Sequence, residues 1–158
     1  TTANHLHRRR THRLNHLRPN RHMELAQMTL TRGLFTSFRS DWKTPKALYN
    51  QLNQEFSFDF DPCPSNPTFD GLAIEWGLRN FVNPPYGRKI GKWIQKGFEE
   101  ARKGKLVVFL IPSRTDTQWW HDYILKANEI RFIRGRLYFD DGNERAPFPS
   151  AIVVFRGT

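Results

Sequence analysis

Cysteine, long apolar runs and glycine-rich turns are all scarce in this chain, and each shortage excludes something. A single cysteine, Cys63, among 158 residues leaves no internal disulfide to form and fits a reducing compartment. No apolar run approaches the roughly 20 residues that cross a bilayer as a helix. No apolar segment follows the basic N-terminus in the manner of a secretory leader. Acidic residues are missing from one end altogether: residues 1–22 hold Arg8, Arg9, Arg10, Arg13, Arg18 and Arg21 and no Asp or Glu. Histidine is nearly absent elsewhere, with His5, His7, His12, His16 and His22 making five of the six. Their irregular spacing matches no metal-ligand pattern, so no metal is expected.

What is present describes one globular domain. Hydrophobic residues make up 38% and aromatics 14%, enough for a core in a chain of this length. The formal charge is +10, and removing the six arginines of the first 22 residues leaves +4. A mildly basic body favours a polyanionic partner through phosphate neutralisation, although an ordinary solvated basic surface has the same composition. The chain divides into a basic segment over 1–39, expected to be largely disordered with Met23 as a natural start, and a folded domain over 40–158.

Beyond Asp41 the hydrophobic pattern is regular. Thr44 and Pro45 suit the N-cap and first position of a helix whose apolar face is Ala47, Leu48, Leu52 and Phe56. The segment 56–61 alternates with period two and predicts a strand stopped by Pro62 and Pro64. A Pro-, Ser-, Asn- and Gly-rich loop follows, then a short apolar strand, Asn80 to Val82. Ile90, Trp93, Ile94, Phe98 and Ala101 make a second helical face closed by Gly104. Leu106 to Ile111 predicts a strand buried on both faces. Asp116 can cap a third helix, carrying Trp119, Trp120, Tyr123, Ile124 and Ala127. Glu129 to Ile133 predicts another strand, and Leu137 to Phe139 with Ala151 to Phe155 a terminal antiparallel hairpin. Helices alternating with apolar strands predict an α/β sandwich, mainly parallel, with a C-terminal antiparallel hairpin.

Chemistry is expected at the carboxyl ends of strands, where ligands bind in open α/β sheets. Asn83-Pro84-Pro85-Tyr86 follows one strand and Asp61-Pro62-Cys63-Pro64 another. Two prolines stiffen the first turn and remove two N–H donors, leaving the Pro84 carbonyl free for a ligand. The Asn83 side chain adds a second carbonyl oxygen, and Tyr86 an aromatic face. Two acceptors beside a ring suit a planar NH₂ group on a base. Such an amine is a poor nucleophile, because its lone pair is delocalised. Accepting both of its hydrogens orients it and frees the pair for attack on an already activated donor. A plain strand-terminating turn has the same four residues. Asp59 and Asp61 alternate with Phe58 and Phe60 and suit amino or hydroxyl groups of a ligand, or stand as solvated edge acids. Cys63 suits packing better than nucleophilic chemistry. Arg88, Arg114 and Trp119 suit phosphate or base contacts, or an ordinary surface.

Several motifs in order carry a resemblance. Asp41-Trp42-Lys43-Thr44-Pro45, Phe58 to Cys63, Asp70-Gly71-Leu72 with Trp76, Phe81 to Gly87, Leu110-Ile111-Pro112 with Thr115-Asp116-Thr117 and Trp119-Trp120, and Gly135-Arg136-Leu137 with Phe139 together resemble the phage-type DNA N-6-adenine methyltransferase family, often labelled Dam. The resemblance spans about Asp41 to Arg156. It implies a Rossmann-like methyltransferase sandwich in the cytoplasm of a bacterial or phage-infected cell. It also implies S-adenosylmethionine as cofactor, adenine in double-stranded DNA as target, and Asn83 to Tyr86 as the catalytic loop. Trp42, Thr44, Pro45, Asp59, Asp61, Pro62 and Cys63 would hold the cofactor, and Arg88, Arg114 and Trp119 would face DNA. The chain departs from the pattern in three places. Asn83 comes only 22 positions after Asp61, no clear ribose-binding acid occupies its usual place, with Glu75 as a candidate, and no separate target-recognition domain is read in the chain. Discrimination of a DNA site then falls to loops such as 112–120 or 140–149, or to another chain. Competing expectations are a methyltransferase for another planar amine, in RNA or on protein glutamine, and an inactive DNA-binding relative.

Overall fold

The computed structural model describes residues 41–142 and 144–157; the basic segment 1–39 lies outside them. Helix α1 (Lys46–Phe56) leads to strand β1 (Arg79–Val82), helix α2 (Ile90–Arg102) and strand β2 (Leu106–Pro112). A short helix α3 (Gln118–Asp122) and a 3₁₀ turn (Ile124–Lys126) precede β3 (Glu129–Phe132). Then come β4 (Tyr138–Phe139), β5 (Glu144–Arg145) and β6 (Ser150–Phe155).

The main sheet has the order β1-β2-β6-β3. β1 pairs with β2 in parallel, and β6 pairs antiparallel with both β2 and β3. β1, β2 and β3 therefore share one direction and β6 alone is reversed. The sheet is mixed rather than mainly parallel. The reason lies in β6, whose six residues are all buried. A strand apolar on both faces cannot sit in a peripheral hairpin, so it fills the gap between β2 and β3. The terminal hairpin is instead β4 with β5, joined through Asp140–Gly142. Pro147 and Pro149, which cannot donate to a ladder, separate it from β6.

Register places the helices. Val82 stands opposite Phe109 and Val107 opposite Phe155, so these side chains share a face. Gly97 of α2 lies on that face, close enough to Phe109 that an added Cβ would come within 2.3 Å of the ring. Phe98 of α2 packs on Phe155 with ring centroids 5.9 Å apart. Phe81 stands opposite Val108 and so faces the other way, where Tyr49 of α1 meets it edge-on at 5.2 Å. The sheet thus lies between α1 and α2, in three layers. β2, buried at all seven positions, forms the centre.

Two local expectations are revised. The segment 56–61 is not a strand: Phe56 ends α1, Ser57 adopts a left-handed conformation (φ 51°), and only Phe60 makes a bridge, parallel to Asn80. Helix hydrogen bonding claims Phe56 first, and Pro62 cuts the extended stretch short. The third helix is capped by Thr117, which accepts from the Trp120 N–H, rather than by Asp116.

The end of the sheet away from the two motif turns holds a buried charge cluster. Glu100 is fully buried and accepts from Lys96 (2.9 Å), Lys103 (3.1 Å), Lys105 (2.5 Å) and the Trp76 N–H (3.4 Å). Burial pushes its pKa up, but these lysines outweigh burial and hold it at about 2. Lys105 also binds Glu75 (3.1 Å) and the Trp76 carbonyl (2.7 Å).

Candidate active site

Asp61 follows Phe60 and Asn83 follows Val82, and the bridge of Phe60 to Asn80 makes these two segments immediate neighbours. The short spacing noted in the sequence is thereby explained: no strand or helix intervenes between the acidic turn and β1. Both turns open on a cleft of about 610 Å³. Its lining includes Trp42, Thr44 and Tyr49, Asp61 and Cys63 of the acidic turn, Phe81, Asn83 and Pro85 from the end of β1 and the turn after it, and Asp141 of the hairpin. The size and the mixture of aromatic and polar walls suit a cofactor-sized ligand.

The Asn83 side chain is held by two hydrogen bonds. Its Nδ2 donates to the Trp42 backbone carbonyl and to Thr44 Oγ1, the latter at 3.0 Å. A carbonyl can only accept, so the carboxamide orientation is fixed: nitrogen toward Trp42, oxygen away. Oδ1 is then left buried without a partner. A buried acceptor with no donor carries a penalty of roughly 1–3 kcal/mol unless a ligand satisfies it. Pro84, next in the chain, is buried, and no hydrogen bond to its carbonyl occurs among the described residues.

Tyr86 is almost fully buried. Its hydroxyl donates to the Leu110 carbonyl at 3.1 Å, tying the Pro-Pro turn to β2. Its ring meets Phe148 edge-on at 5.5 Å and Phe139 at 6.3 Å. Trp42 packs on the same two phenylalanines, at 5.4 and 5.3 Å. Trp42, Tyr86, Phe139 and Phe148 thus form one cluster, in which Tyr86 does not line the cleft. Burial drives the Tyr86 hydroxyl far above its ordinary pKa, so it is a neutral donor and not a base.

In the acidic turn, Asp61 Oδ1 accepts the Cys63 N–H at 2.8 Å. Desolvation raises the Asp61 pKa, against the lowering effect of that bond. Desolvation, with the Asp61 charge beside it, pushes the Cys63 thiol up to about 11, so it stays protonated near neutrality. Asp59 stands apart from the cleft and accepts the Arg79 N–H at 3.0 Å, fixing the start of β1. Glu75 is turned toward Lys105 and is not at the cleft.

Of the residues expected to hold cofactor, Trp42, Thr44, Asp61 and Cys63 line the cleft; Pro45, Asp59 and Pro62 do not. Arg88 and Arg114 are exposed outside it. Trp119 leans on Gly91 of α2 and on Trp120 (6.0 Å). Sequence reading missed Tyr49, Phe81 and Asp141 as lining residues. Phe81 was visible as the residue two before Asn83, whereas Asp141 comes from a distant hairpin and had no local signal. The role of Asp70-Gly71-Leu72 is now structural. Asp70 Oδ1 accepts the Leu72 N–H (3.0 Å), and Gly71 lies so near the Pro62 carbonyl that a Cβ there would come within 2.0 Å. The loop thus braces the acidic turn from behind.

No curated protein matches the chain. The model of the DNA N-6-adenine-methyltransferase (Dam) family matches residues 33–154, a span that includes every residue of the cleft described above, and the chain therefore belongs to that family.

Proposed function

We propose that the protein transfers a methyl group from S-adenosylmethionine to the N6 amine of adenine in duplex DNA. The observation that carries this reading is the buried, unpartnered Oδ1 of Asn83, a residue that lines the cleft. Asn80 is held in the same way with its oxygen unpartnered, but it is buried in the core; Asn83 alone of the two lines the cleft, where its oxygen can receive an N–H from outside. The Pro84 carbonyl is the candidate second acceptor. Together they would orient an exocyclic NH₂ and draw its nitrogen toward a pyramidal, nucleophilic shape.

The cleft residues fit the cofactor. Asp61 supplies a carboxylate for its ammonium or hydroxyl groups, and Trp42, Tyr49 and Phe81 supply flat apolar walls for its purine. When bound, the cofactor supplies a methyl group already activated on a positive sulfur. The chain's own part is then positioning rather than base catalysis, consistent with a Cys63 thiol in the cleft and a Tyr86 hydroxyl behind it that both keep their protons. The shared direction of β1, β2 and β3, with helices on both faces, supports a Rossmann-like sandwich.

The net charge of +10 supports a polyanionic partner, with Arg88, Arg114 and Trp119 as candidate contacts. A base inside duplex DNA reaches such a cleft only by flipping out, at a cost of a few kcal/mol. A base stacking on Tyr86 would displace Phe148, so the 146–149 segment is expected to shift when DNA binds.

The test is methyl transfer from labelled S-adenosylmethionine to unmethylated duplex DNA, with the nucleosides separated afterwards. Label in N6-methyladenosine is expected. Cofactor binding without label in DNA would move the reading to an RNA base or a glutamine amide, and absence of cofactor binding would overturn it.

A further inference from the structure

Thr44 stands just before α1, where a threonine ordinarily caps the helix by accepting an N–H of the first turn. It does not do so. The cap position is taken by Pro45, and no side chain at that position makes a cap hydrogen bond. The Thr44 hydroxyl turns instead into the cleft and accepts from Asn83 Nδ2. The first N–H of α1, on Lys46, is met by Asp141 Oδ1 from the β4–β5 hairpin, at 3.2 Å. Asp141 and its neighbour Asp140 both have positive φ, 57° and 52°, a conformation that non-glycine residues adopt at a cost. The cap that Thr44 does not supply is thus filled from across the fold, and a residue that departs from its local preference is a place to look for function.

We propose that Thr44 is a positioning residue for methyl transfer: the Trp42 carbonyl sets which end of the Asn83 carboxamide is presented, and the Thr44 hydroxyl holds that carboxamide at one angle, so that Oδ1 meets the target amine at a fixed position. The inference rests on the reading of Asn83 given above. The Trp42 carbonyl favours that orientation alone, but one hydrogen bond lets the carboxamide swing about its last torsion. A second partner two residues further along, the Thr44 hydroxyl, removes that freedom. Without the hydroxyl the nitrogen still faces the Trp42 carbonyl, but the carboxamide swings on that one bond and Oδ1 is no longer held at one position.

The test compares Thr44→Val, which keeps the shape and removes the hydroxyl, with Thr44→Ser, which keeps the hydroxyl. With S-adenosylmethionine and duplex DNA, Thr44→Val should lower kcat by about tenfold to a hundredfold. The KM for cofactor should stay near the wild-type value, and Thr44→Ser should recover most of kcat. In the cofactor-free full chain, the Asn83 side-chain NH₂ signals, assigned by their loss in Asn83→Ala, should move upfield and exchange faster in Thr44→Val than in wild type. Unchanged kcat in Thr44→Val, equal losses in both variants, a rise in cofactor KM alone, or unaltered Asn83 NH₂ signals would each overturn the proposal. If the wild type methylates no adenine, the functional reading falls instead, and the NH₂ signals still decide whether Thr44 holds Asn83.

Discussion

Asp141 accepts the backbone N–H of Lys46, so a helix is capped by a residue 95 positions further along the chain. The same hairpin exchanges hydrogen bonds with Lys43: Lys43 N–H donates to Asp140 Oδ1 (3.3 Å), and Asp140 N–H donates to the Lys43 carbonyl (3.1 Å). The exposed ion pair of Lys46 with Asp141, at 3.7 Å, adds little to this. What matters is the acceptor. Asp141→Ala should lower stability by about 1 kcal/mol, the usual effect of losing an N-cap. Asp141→Asn, which keeps the oxygen and tolerates the left-handed backbone, should stay near wild type. Urea unfolding of the two variants checks this, and equal loss in both would assign the effect to charge instead.

On the proposed mechanism Asn83→Ala should abolish turnover while leaving cofactor affinity nearly unchanged, because the free oxygen of the side chain is the proposed acceptor for the target amine. Calorimetric titration with S-adenosylmethionine beside the methylation assay separates the two. Asn83→Asp should also fail, for a different reason. Its carboxylate would face the Trp42 carbonyl with nothing to donate. Parallel loss of cofactor binding in a folded Asn83→Ala protein would contradict the assignment.

Glu100 makes stability depend on acid. Its folded pKa, about 2, lies below the ordinary 4.5. The stability it contributes is therefore complete above the higher value, declines as pH falls between the two, and is gone below the lower. Glu100→Gln keeps an acceptor but removes the charge that compensates Lys105, and should cost roughly 2 kcal/mol near neutrality. The gap between variant and wild type should close as pH is lowered through that window. Denaturation midpoints measured across it provide the check, and a gap independent of pH would show that packing, not charge, explains the loss.

Gly71→Ala should disturb cofactor binding from behind. The added methyl meets the Pro62 carbonyl and the Trp93 ring (2.8 Å), and the backbone oxygen cannot simply rotate away. The acidic turn should shift, weakening S-adenosylmethionine binding several-fold while the sheet remains intact. Cofactor titration and circular dichroism together test this; unchanged affinity would show that the turn is not the cofactor's seat.

The sequence made the two motif turns and the central strand legible, because each is a local signal. Two prolines after an apolar run can be read without knowing the fold, and six consecutive apolar residues from Leu106 can only be interior. The reach of Asp141 to Lys46, and of Thr44 to Asn83, could not be read, since neither pattern nor propensity encodes a partner across the fold. Thr44 was readable as a helix cap, and the structure spends it elsewhere. Tyr86 was readable as an aromatic face beside an acceptor pair. Its cover by Phe148 depends on a segment that is apolar and irregular, with no period to place it. β6 was recognised as a strand but given the wrong neighbour, because an all-apolar run says that both faces are buried and not between which strands.

The position of β6 also bears on how the sheet can be assembled. β3 pairs with no strand but β6 among those described, and β6 is the last of them to leave the ribosome. Until it emerges, β1 and β2 can pair while β3 waits without a ladder and one edge of β2 lies open. Closing the sheet then means inserting a finished strand between two others, a late and long-range event of the kind that slows folding and exposes edges to aggregation. Nascent chains stalled ahead of Ser150 should therefore remain open to protease and to chaperones, even though the residues of the cleft have already been made.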